Sequence, residues 1–362
     1  MKTTRIGSIA AVAIAGALVL SSCASNEGTA PDDTASDLSG ALVGAGASSQ
    51  EVGQQTWTAA FQTSNPDVDI TYDPSGSGAG RETFQSGASD FAGSDRAFKV
   101  DEIAAGPFDA CVADTGLVEI PAYISPIAVI FNVDGVDSLN LDAATIAGIF
   151  AGTITNWNDP AIAADNADAT LPDLAITPVH RADKSGTTGN FTDYLAAAAG
   201  DVWTFGSVEE WPIEAGEAAT GTSGVVDAVT NGTGTIGYAD ASRAGELGTV
   251  HVKVGDEFVE YSPEAAAAVA DISPLEEGRT DHDLAIAIDR TTEEAGVYPI
   301  VLISYLVACE EYTDPANVEV LKAYFNYIAS AEGQDAAAAA AGSAPISDSL
   351  REKVLVAIDA IK

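Results

Sequence analysis

Three stretches of the chain share one pattern, in which a short apolar strand leads into a loop of glycine and hydroxyl residues and a helix follows. The first runs from the strand Ala41–Val43 through the loop Gly44–Ser49 into a helix with apolar residues on one side. The second follows the alternating strand Val68–Tyr72, and the third follows Leu174–His180. Repeated strand–loop–helix units predict an α/β protein that binds ligands at the carboxyl ends of its strands.

Further elements follow from the same patterns. The segment "AATIAGIFAGTITNWNDPAI" predicts a helix and a turn anchored by Trp157, and Ile300–Val307 is the most continuous candidate for a buried strand. An alanine run predicts the end of one helix, and Ser347 is expected to cap the last one. A length of 362 residues predicts two domains.

The amino terminus has the features of a targeting segment. The apolar stretch Ile6–Leu20 follows two basic residues and ends in "LSSC", which resembles the bacterial lipoprotein processing box. We expect residues 1–22 to be a signal peptide and Cys23 to be lipidated; ordinary secretion, with an incidental cysteine, is the alternative. The small, polar and acidic residues 23–38 predict a flexible tether.

The charge of the chain is strongly one-sided. It has 54 acidic and 15 basic residues, a formal net charge of −39. This excludes nucleic acid as an expected partner and leaves a lipid anchor as the expected contact with the membrane. An anionic ligand would have to be held by local dipoles and a few well-placed cations.

The chain has three cysteines. If Cys23 carries lipid, Cys111 and Cys309 remain as an even pair in an oxidising compartment. A disulfide between them is the favoured interpretation, and two buried free thiols are the alternative.

The glycine and hydroxyl loops have the composition of anion sites. Gly44–Ser49, Gly76–Gly80 and Ser185–Thr188 each precede or open a predicted helix, whose free N–H groups and positive dipole end favour a negative ligand. Arg181 lies just before the third loop, and its planar guanidinium suits two oxygens of a tetrahedral anion. Asp95 lies in a similar Gly-Ser turn, where a carboxylate is unexpected.

These loops also carry a family resemblance. "GAGASS", "GSGAG", "FAGSD" and "HRADKSGTTGNFTDYL", in this order, resemble signature segments of the substrate-binding protein of the bacterial high-affinity phosphate ABC transporter. "IFAGTITNWNDPAI", "WPIEAG", "GTGTIGYA" and "YPIVLISY" resemble that family at the corresponding places. The resemblance extends from about Leu38 to the end of the chain.

The resemblance implies a two-lobed α/β fold of the type II periplasmic-binding-protein kind, with a two-stranded hinge. Lobe 1 would comprise residues 39–122 and 263–362, and lobe 2 residues 123–262. The lobes would close on inorganic phosphate, or its analogue arsenate, without a metal or other cofactor. The protein would act as a monomer, lipid-anchored to the outer face of the bacterial cell membrane, and deliver phosphate to the membrane permease of the transporter.

The resemblance also implies a ligand set. The phosphate-binding residues would be Ser48, Ser49, Ser77, Asp95, Arg181, Ser185, Gly186 and Thr187. Asp183 would orient Arg181. The chain departs from the family at Ser49, where an aromatic residue is frequent, at Lys184, where glycine is frequent, and at Arg96, where a neutral residue is usual. We expect Arg96 and Lys184 to be exposed to solvent.

Asp95 has a chemical rationale in such a site. Phosphate near neutral pH carries at least one proton, whereas sulfate carries none. An ionised Asp95 can accept that proton in a short hydrogen bond and would repel sulfate. The alternative is a turn-forming aspartate with no role in binding.

Two other functional classes are considered. A phosphatase on the same scaffold could use Ser48 or Ser77 as a nucleophile, but no general base lies in these segments, and the chain has no common hydrolase or metal-site motif. The three histidines, His180, His251 and His282, are scattered. A structural lipoprotein or adhesin would explain the anchor but not the loops. The sequence therefore predicts a binding protein and not an enzyme.

Overall fold

The structure is a computed structural model that describes residues 38–362, which form eleven strands and eleven α-helices. The predicted signal peptide 1–22, the lipidation site Cys23 and nearly all of the tether 23–38 lie outside the described residues. The strands are β1 (Gly40–Gly46), β2 (Val68–Asp73), β3 (Phe91–Ser94), β4 (Leu117–Asn132), β5 (Ser138–Leu141), β6 (Thr177–Arg181), β7 (Glu217–Ala219), β8 (Thr235–Asp240), β9 (Gly248–Val254), β10 (Glu257–Val259) and β11 (Val301–Cys309). The helices are α1 (Glu51–Ser64), α2 (Ser77–Gln85), α3 (Val100–Ala105), α4 (Ala143–Phe150), α5 (Pro160–Ala164), α6 (Gly186–Ala198), α7 (Gly221–Asn231), α8 (Pro263–Ile272), α9 (Val318–Ala329), α10 (Ala331–Ala341) and α11 (Asp348–Ala360).

The strands form one mixed sheet in the order β2-β1-β3-β11-β4-β8-β6-β7, and β9 joins β5 and β10 to β4. β1 is parallel to β2 and β3, and β6 is parallel to β7 and β8. β11 and β4 run antiparallel to their neighbours in the middle. The three predicted strand–loop–helix units are present as β1–α1, β2–α2 and β6–α6, which confirms the expected α/β organisation.

The long strand β4 divides this sheet. Leu117–Pro126 pairs with β11, and Ile127–Asn132 pairs with β8. Its two prolines lie where the pairing is irregular: Pro121 at a register shift opposite Tyr305, and Pro126 just before the partner strand changes. Proline cannot donate a ladder hydrogen bond, so a central strand tolerates it at such positions. We call β1, β2, β3 and β11 the first half of the sheet, and β5 to β10 the second half; each half includes the helices and loops attached to its strands.

Each half has its own aromatic anchor. In the first half Trp57 of α1 is buried, and its indole N–H donates to the Gly333 carbonyl at 2.7 Å. In the second half Trp157 is buried and donates to the Gly234 carbonyl at 3.1 Å, as expected of an anchor. A buried polar residue, Gln54, shares the buried face of α1 with Trp57.

The two remaining cysteines are joined. Cys111 and Cys309 form a disulfide with a Cα–Cα distance of 5.3 Å, within the usual range for such bonds. The predicted pairing is confirmed, and the alternative of two free thiols is wrong. Cys309 ends β11, so the bond ties the loop before β4 to the first half of the sheet.

Two local expectations were inaccurate. The buried strand predicted at Ile300–Val307 runs from Val301 to Cys309. Ser347 does precede α11, but its hydroxyl lies 3.3 Å from Ser349 Oγ and makes no capping hydrogen bond to the backbone.

Within residues 38–362, no helix combines the length and apolar composition that a bilayer crossing requires.

Candidate functional site

The loop after β1 lies tightly against the end of β3. Gly46 has a φ of 144°, and a Cβ at this position would lie 1.9 Å from the Gly93 carbonyl oxygen, so only glycine fits. This approach places the turn Ser48–Gln50 beside the residue that follows β3. Ser49 Oγ donates a 2.5 Å hydrogen bond to Asp95 Oδ1.

The second loop joins this cluster from β2. The Gly76 N–H donates to the Gly46 carbonyl at 2.7 Å, which holds the two loops together. Ser77 is the first residue of α2, and its Oγ accepts a 3.1 Å hydrogen bond from the Asp95 N–H. The amino end of α2 therefore points at Asp95.

The third loop comes from the second half of the sheet. Arg181 is the last residue of β6 and is buried. Ser185 caps α6, because its Oγ accepts a 3.1 Å hydrogen bond from the Thr188 N–H. The cap leaves the first turn of α6 facing the first half of the sheet.

Gly186 and Thr187 bring the second half of the sheet into direct contact with Asp95. A Cβ on Gly186 would lie 2.4 Å from Ser77 Oγ and 2.7 Å from Asp95 Cβ. Thr187 Oγ1 donates to Asp95 Oδ2 at 3.0 Å. The absence of a side chain at Gly186 is what lets α6 approach Asp95 this closely.

Asp95 is at the centre of the cluster. Its side chain is only 2% exposed, and its carboxylate accepts hydrogen bonds from Ser49, Thr187 and, at 2.7 Å, Ser304. Burial raises the pKa of Asp95, and the three hydrogen bonds and the charge of Arg181 oppose this rise only in part. Asp95 is therefore a buried acceptor held by hydroxyl donors.

Arg181 forms two hydrogen bonds with Asp183. Its Nε donates to Asp183 Oδ1 at 2.8 Å, and its Nη2 donates to Asp183 Oδ2. Burial would raise the pKa of Asp183, but the hydrogen bond and charge of Arg181 outweigh it and lower that pKa. Arg181 Nη1 has no hydrogen-bond partner within residues 38–362, so this donor is available to an anion.

A fourth helix start, which the sequence did not predict, belongs to the cluster. Ser48 Oγ accepts from the Thr222 N–H at 3.2 Å and lies 3.0 Å from Thr222 Oγ1. The Gly221 N–H donates to Asp183 Oδ1 at 3.0 Å. Both residues open α7. The segment "TGTSG" has the same glycine and hydroxyl composition as the three predicted loops, so its composition could have identified it as a fourth loop of this kind.

Sequence reasoning also missed a set of buried polar residues around Asp95. Gln50 and Ser304 lie on one side of it, and Ser304 is the single serine in the mostly apolar strand β11. On the other side Asn190 Nδ2 donates to the Asp95 carbonyl at 2.7 Å, and Arg290 donates to Asn190 Oδ1. A polar residue in an apolar run was the only local signal for these positions.

The expected exposure of two basic residues was right for Lys184 and wrong for Arg96. Lys184 is 39% exposed and lies 3.2 Å from Glu82. Arg96 is 21% exposed and forms ion pairs with Glu102 and Glu209, at 2.7 and 2.9 Å. Arg96 is held because Glu209 of the second half approaches it, and that approach is not visible locally.

A cleft of about 690 Å³ opens beside Asp95. Its basic lining residues are Arg96, Lys99, Lys184, Arg279 and Arg290, and its acidic ones are Asp95, Asp193, Glu209, Glu210 and Glu276. The two signs are equal in number here, although the chain as a whole carries −39. An anion can therefore approach Asp95 through a region without the overall acidic excess.

The described part of the chain has no group of three or more His, Cys, Asp or Glu residues suited to a metal ion.

The residues predicted for the site thus come together from four loops. Direct hydrogen bonds or close contacts connect Ser49, Ser77, Asp95, Gly186 and Thr187. Ser48 connects through α7 to Asp183 and Arg181. Ser185 contributes as the cap of α6.

Known proteins are similar to this chain in sequence and in architecture. The sequence profile of the PBP superfamily domain matches residues 26–332. The phosphate-binding protein PstS 3 of Mycobacterium tuberculosis is 34% identical over 379 aligned positions that cover all of both chains. The chain belongs to the PstS phosphate-binding protein family. PstS 2 of the same organism is 31% identical over the same coverage.

Solved structures agree on the fold. A high-affinity periplasmic phosphate-binding protein crystallised with phosphate matches with a TM-score of 0.70 at 20% identity, covering 88% of this chain and 93% of its own. A phosphate-binding protein from Stenotrophomonas maltophilia matches with a TM-score of 0.69 at 19% identity, covering 88% and 94%. The expected α/β fold of the type II periplasmic-binding-protein kind is confirmed.

Proposed function

We propose that this protein captures inorganic phosphate outside the cytoplasm and delivers it to the membrane permease of an ABC importer. The observation that carries the proposal is the meeting of hydroxyl groups and helix amino ends from both halves of the sheet around Asp95, beside Arg181. Relatives that match the whole chain are named phosphate-binding proteins. The site suits binding of phosphate without a chemical reaction, because it consists of hydrogen-bond donors and one acceptor, the carboxylate of Asp95.

The ligand set is proposed to be the eight residues predicted from the sequence. These are Ser48, Ser49, Ser77, Asp95, Arg181, Ser185, Gly186 and Thr187. The free N–H groups at the starts of α2 and α6 would bind phosphate oxygens, and Arg181 Nη1 would supply a charged donor. The protonated oxygen of phosphate would donate to Asp95. Arsenate has the same shape and protonation and should bind in the same way.

The two lobes are proposed to be residues 39–122 with 263–362, and residues 123–262. Ion pairs connect the two sets: Arg81 with Glu209, Lys184 with Glu82, Arg243 with Glu51, and Arg290 with Asp193. Phosphate would bridge the same two surfaces and favour their approach. Small-angle scattering should therefore report a smaller radius of gyration when phosphate is added, and an unchanged radius would contradict closure.

The amino-terminal residues are proposed to anchor the protein. Cleavage after residue 22 and lipidation of Cys23 would hold it, as a monomer, on the outer face of the cell membrane, with residues 23–38 as the tether. In the bacterial host, Cys23→Ala should move the protein from the membrane fraction to the medium or periplasm. Membrane retention of the variant would refute the anchor.

The hydrolase alternative has no support in the site. The Ser48 hydroxyl is hydrogen-bonded to Thr222, and the Ser77 hydroxyl accepts a hydrogen bond from the Asp95 N–H. Neither hydroxyl contacts a histidine, lysine or carboxylate within residues 38–362, so neither has a base to activate it. The ring of His180 stacks on Trp211 at 4.9 Å.

One experiment tests the proposed function. Purified protein, dialysed free of phosphate, is titrated calorimetrically with phosphate, and a second sample is incubated with a phosphate ester. We expect saturable binding of one phosphate per chain and no release of phosphate from the ester. Absence of phosphate binding would refute the proposal, and catalytic release would favour the hydrolase.

A further inference from the structure

A continuous chain of buried hydrogen bonds leads from α9 to Asp95. Tyr324 Oη donates to Gln54 Oε1 at 2.9 Å, and Gln54 Nε2 donates to Gln50 Oε1 at 2.8 Å. Gln50 Nε2 donates to Ser304 Oγ at 2.7 Å, and Ser304 Oγ donates to Asp95 Oδ1 at 2.7 Å. All five side chains are at most 2% exposed.

The direction of this chain is set by a backbone carbonyl. Gln50 Nε2 also lies 3.1 Å from the Tyr305 carbonyl oxygen, which can only accept. The nitrogen of the Gln50 amide must therefore face Ser304, and its oxygen must face Gln54. Because Gln50 donates to Ser304, the single hydroxyl proton of Ser304 is left for Asp95.

The two oxygens of Asp95 consequently differ. Oδ1 accepts from Ser304 and from Ser49, whereas Oδ2 accepts from Thr187 alone among residues 38–362. Thr187 belongs to the loop that faces the proposed ligand, and its hydroxyl can turn toward a phosphate oxygen. Ser304 has no such freedom, since Gln50 occupies its acceptor side.

We propose that Gln50 and Ser304 are positioning residues that set the anion specificity of the site, because they hold Asp95 Oδ1 as an acceptor and leave Oδ2 to take a proton from the ligand. The proposal rests on the proposed function. A fully deprotonated anion such as sulfate binds only if Asp95 itself gains a proton. Ser304 stabilises the ionised carboxylate and so makes that proton more costly.

The alternative role of these residues is structural, since a satisfied polar network stabilises a core. A structural role would weaken all anions together or lower stability. It would not change the ratio of phosphate to sulfate affinity. That ratio, and the pH at which sulfate begins to bind, separate the two roles.

Other charged and titratable groups lie around Asp95. Arg181 on β6, Asp240 on β8 and Tyr72 on β2 interact with it electrostatically. Arg290 reaches it through Asn190, Arg81 donates to the preceding Ser94, and Arg96 follows it in the chain. Variants at Ser304 and Gln50 leave these groups in place. A shift in the pH dependence of sulfate binding can then be assigned to the lost donor.

The test measures phosphate and sulfate affinity by calorimetry across pH, using wild type, Ser304→Ala, Ser304→Thr and Gln50→Met. A hydrogen bond to a charged group stabilises it enough to shift a pKa by about one unit, so Ser304→Ala should raise the pH midpoint of sulfate binding by about one unit. Its phosphate-to-sulfate ratio at neutral pH should fall about tenfold. Gln50→Met should act in the same direction but less strongly, and Ser304→Thr should restore the wild-type ratio.

Ser89→Ala is the matched control. Ser89 is also buried, but its Oγ has no hydrogen-bond partner in the described part of the chain. It lies before β3, at the opposite end of that strand from Asp95. Its ratio should equal that of wild type. If Ser304→Ala does not fold, the ratio of phosphate to sulfate affinity can be measured on Gln50→Met. That variant removes only an amide group.

Different outcomes would overturn the role of Gln50 and Ser304 and the proposed function. Folded variants that bind phosphate with an unchanged ratio and pH profile would overturn the role of Gln50 and Ser304 and leave the proposed function intact. A wild-type protein that binds no phosphate would overturn the proposed function, and this inference with it.

Discussion

Replacement of Asp95 by asparagine is the most direct test of ligand choice. Asp95 is buried and accepts three hydroxyl hydrogen bonds, so it can also accept the proton of a bound phosphate. Sulfate offers no proton. It binds only after Asp95 takes one from solution, because two unpaired negative groups would otherwise be buried together.

The cost of that protonation sets the magnitude. Each pH unit between the solution and the pKa of a carboxylate costs about 1.4 kcal/mol. With the ordinary value of 3.8 for Asp95, protonation at pH 7 costs about 4 kcal/mol, or about 10³-fold in affinity. Burial raises the pKa of Asp95, so about 10³-fold is the upper limit of this contribution. Sulfate affinity should rise about tenfold for each unit that the pH falls toward that pKa.

The assay is competitive calorimetry of phosphate and sulfate between about pH 5 and pH 8. In Asp95→Asn the amide can donate as well as accept, so sulfate affinity should become nearly independent of pH and the preference for phosphate should narrow. Asp134→Asn, an exposed aspartate in the turn after β4, controls for loss of one charge in an acidic chain. Sulfate that displaces phosphate from wild type at comparable concentration near pH 7 would refute the reasoning.

Three further predictions follow from the geometry. Arg181→Ala should weaken phosphate binding by about 2–5 kcal/mol, because it removes the cation and leaves the partly buried Asp183 without its charged partner; an unchanged dissociation constant in calorimetry would exclude Arg181 from the site. Gly186→Ala puts a Cβ 2.4 Å from Ser77 Oγ, so it should force the two halves apart at a cost of about 1–3 kcal/mol. Calorimetry should then show weaker phosphate binding, and an affinity equal to that of wild type would show that the contact relaxes freely. Burial raises the pKa of Asp240 from 3.8 to about 6, so the folded state binds this proton more tightly than the unfolded state. The free energy of unfolding should therefore fall by about 3 kcal/mol as the pH rises from about 4 to 6, and Asp240→Asn should flatten that part of a urea-denaturation pH series; an equal slope in both proteins would contradict the assignment.

Local patterns were sufficient for the parts of this protein that depend on neighbours in sequence. Short apolar strands followed by glycine and hydroxyl loops predicted β1–α1, β2–α2 and β6–α6, since strand ends, glycine loops and helix starts are local events. The resemblance added order and spacing, and with them the candidate ligand residues. With Cys23 assigned to the proposed lipid anchor, the other two cysteines left one pairing to consider.

Contacts between distant parts of the chain were decided only by the tertiary structure. Ser304 meets Asp95 across 209 residues of sequence, and Gln50 meets Ser304 across 254. Arg96 was expected in solvent, but Glu209 approaches it and partly covers it in an ion pair. A serine in an apolar strand or a glutamine on a buried helix face carries no local sign of its partner. The sequence alone determined which loops could bind an anion. The placement of β11 and of the turn Ser48–Gln50 beside β3 determined which side chains orient Asp95.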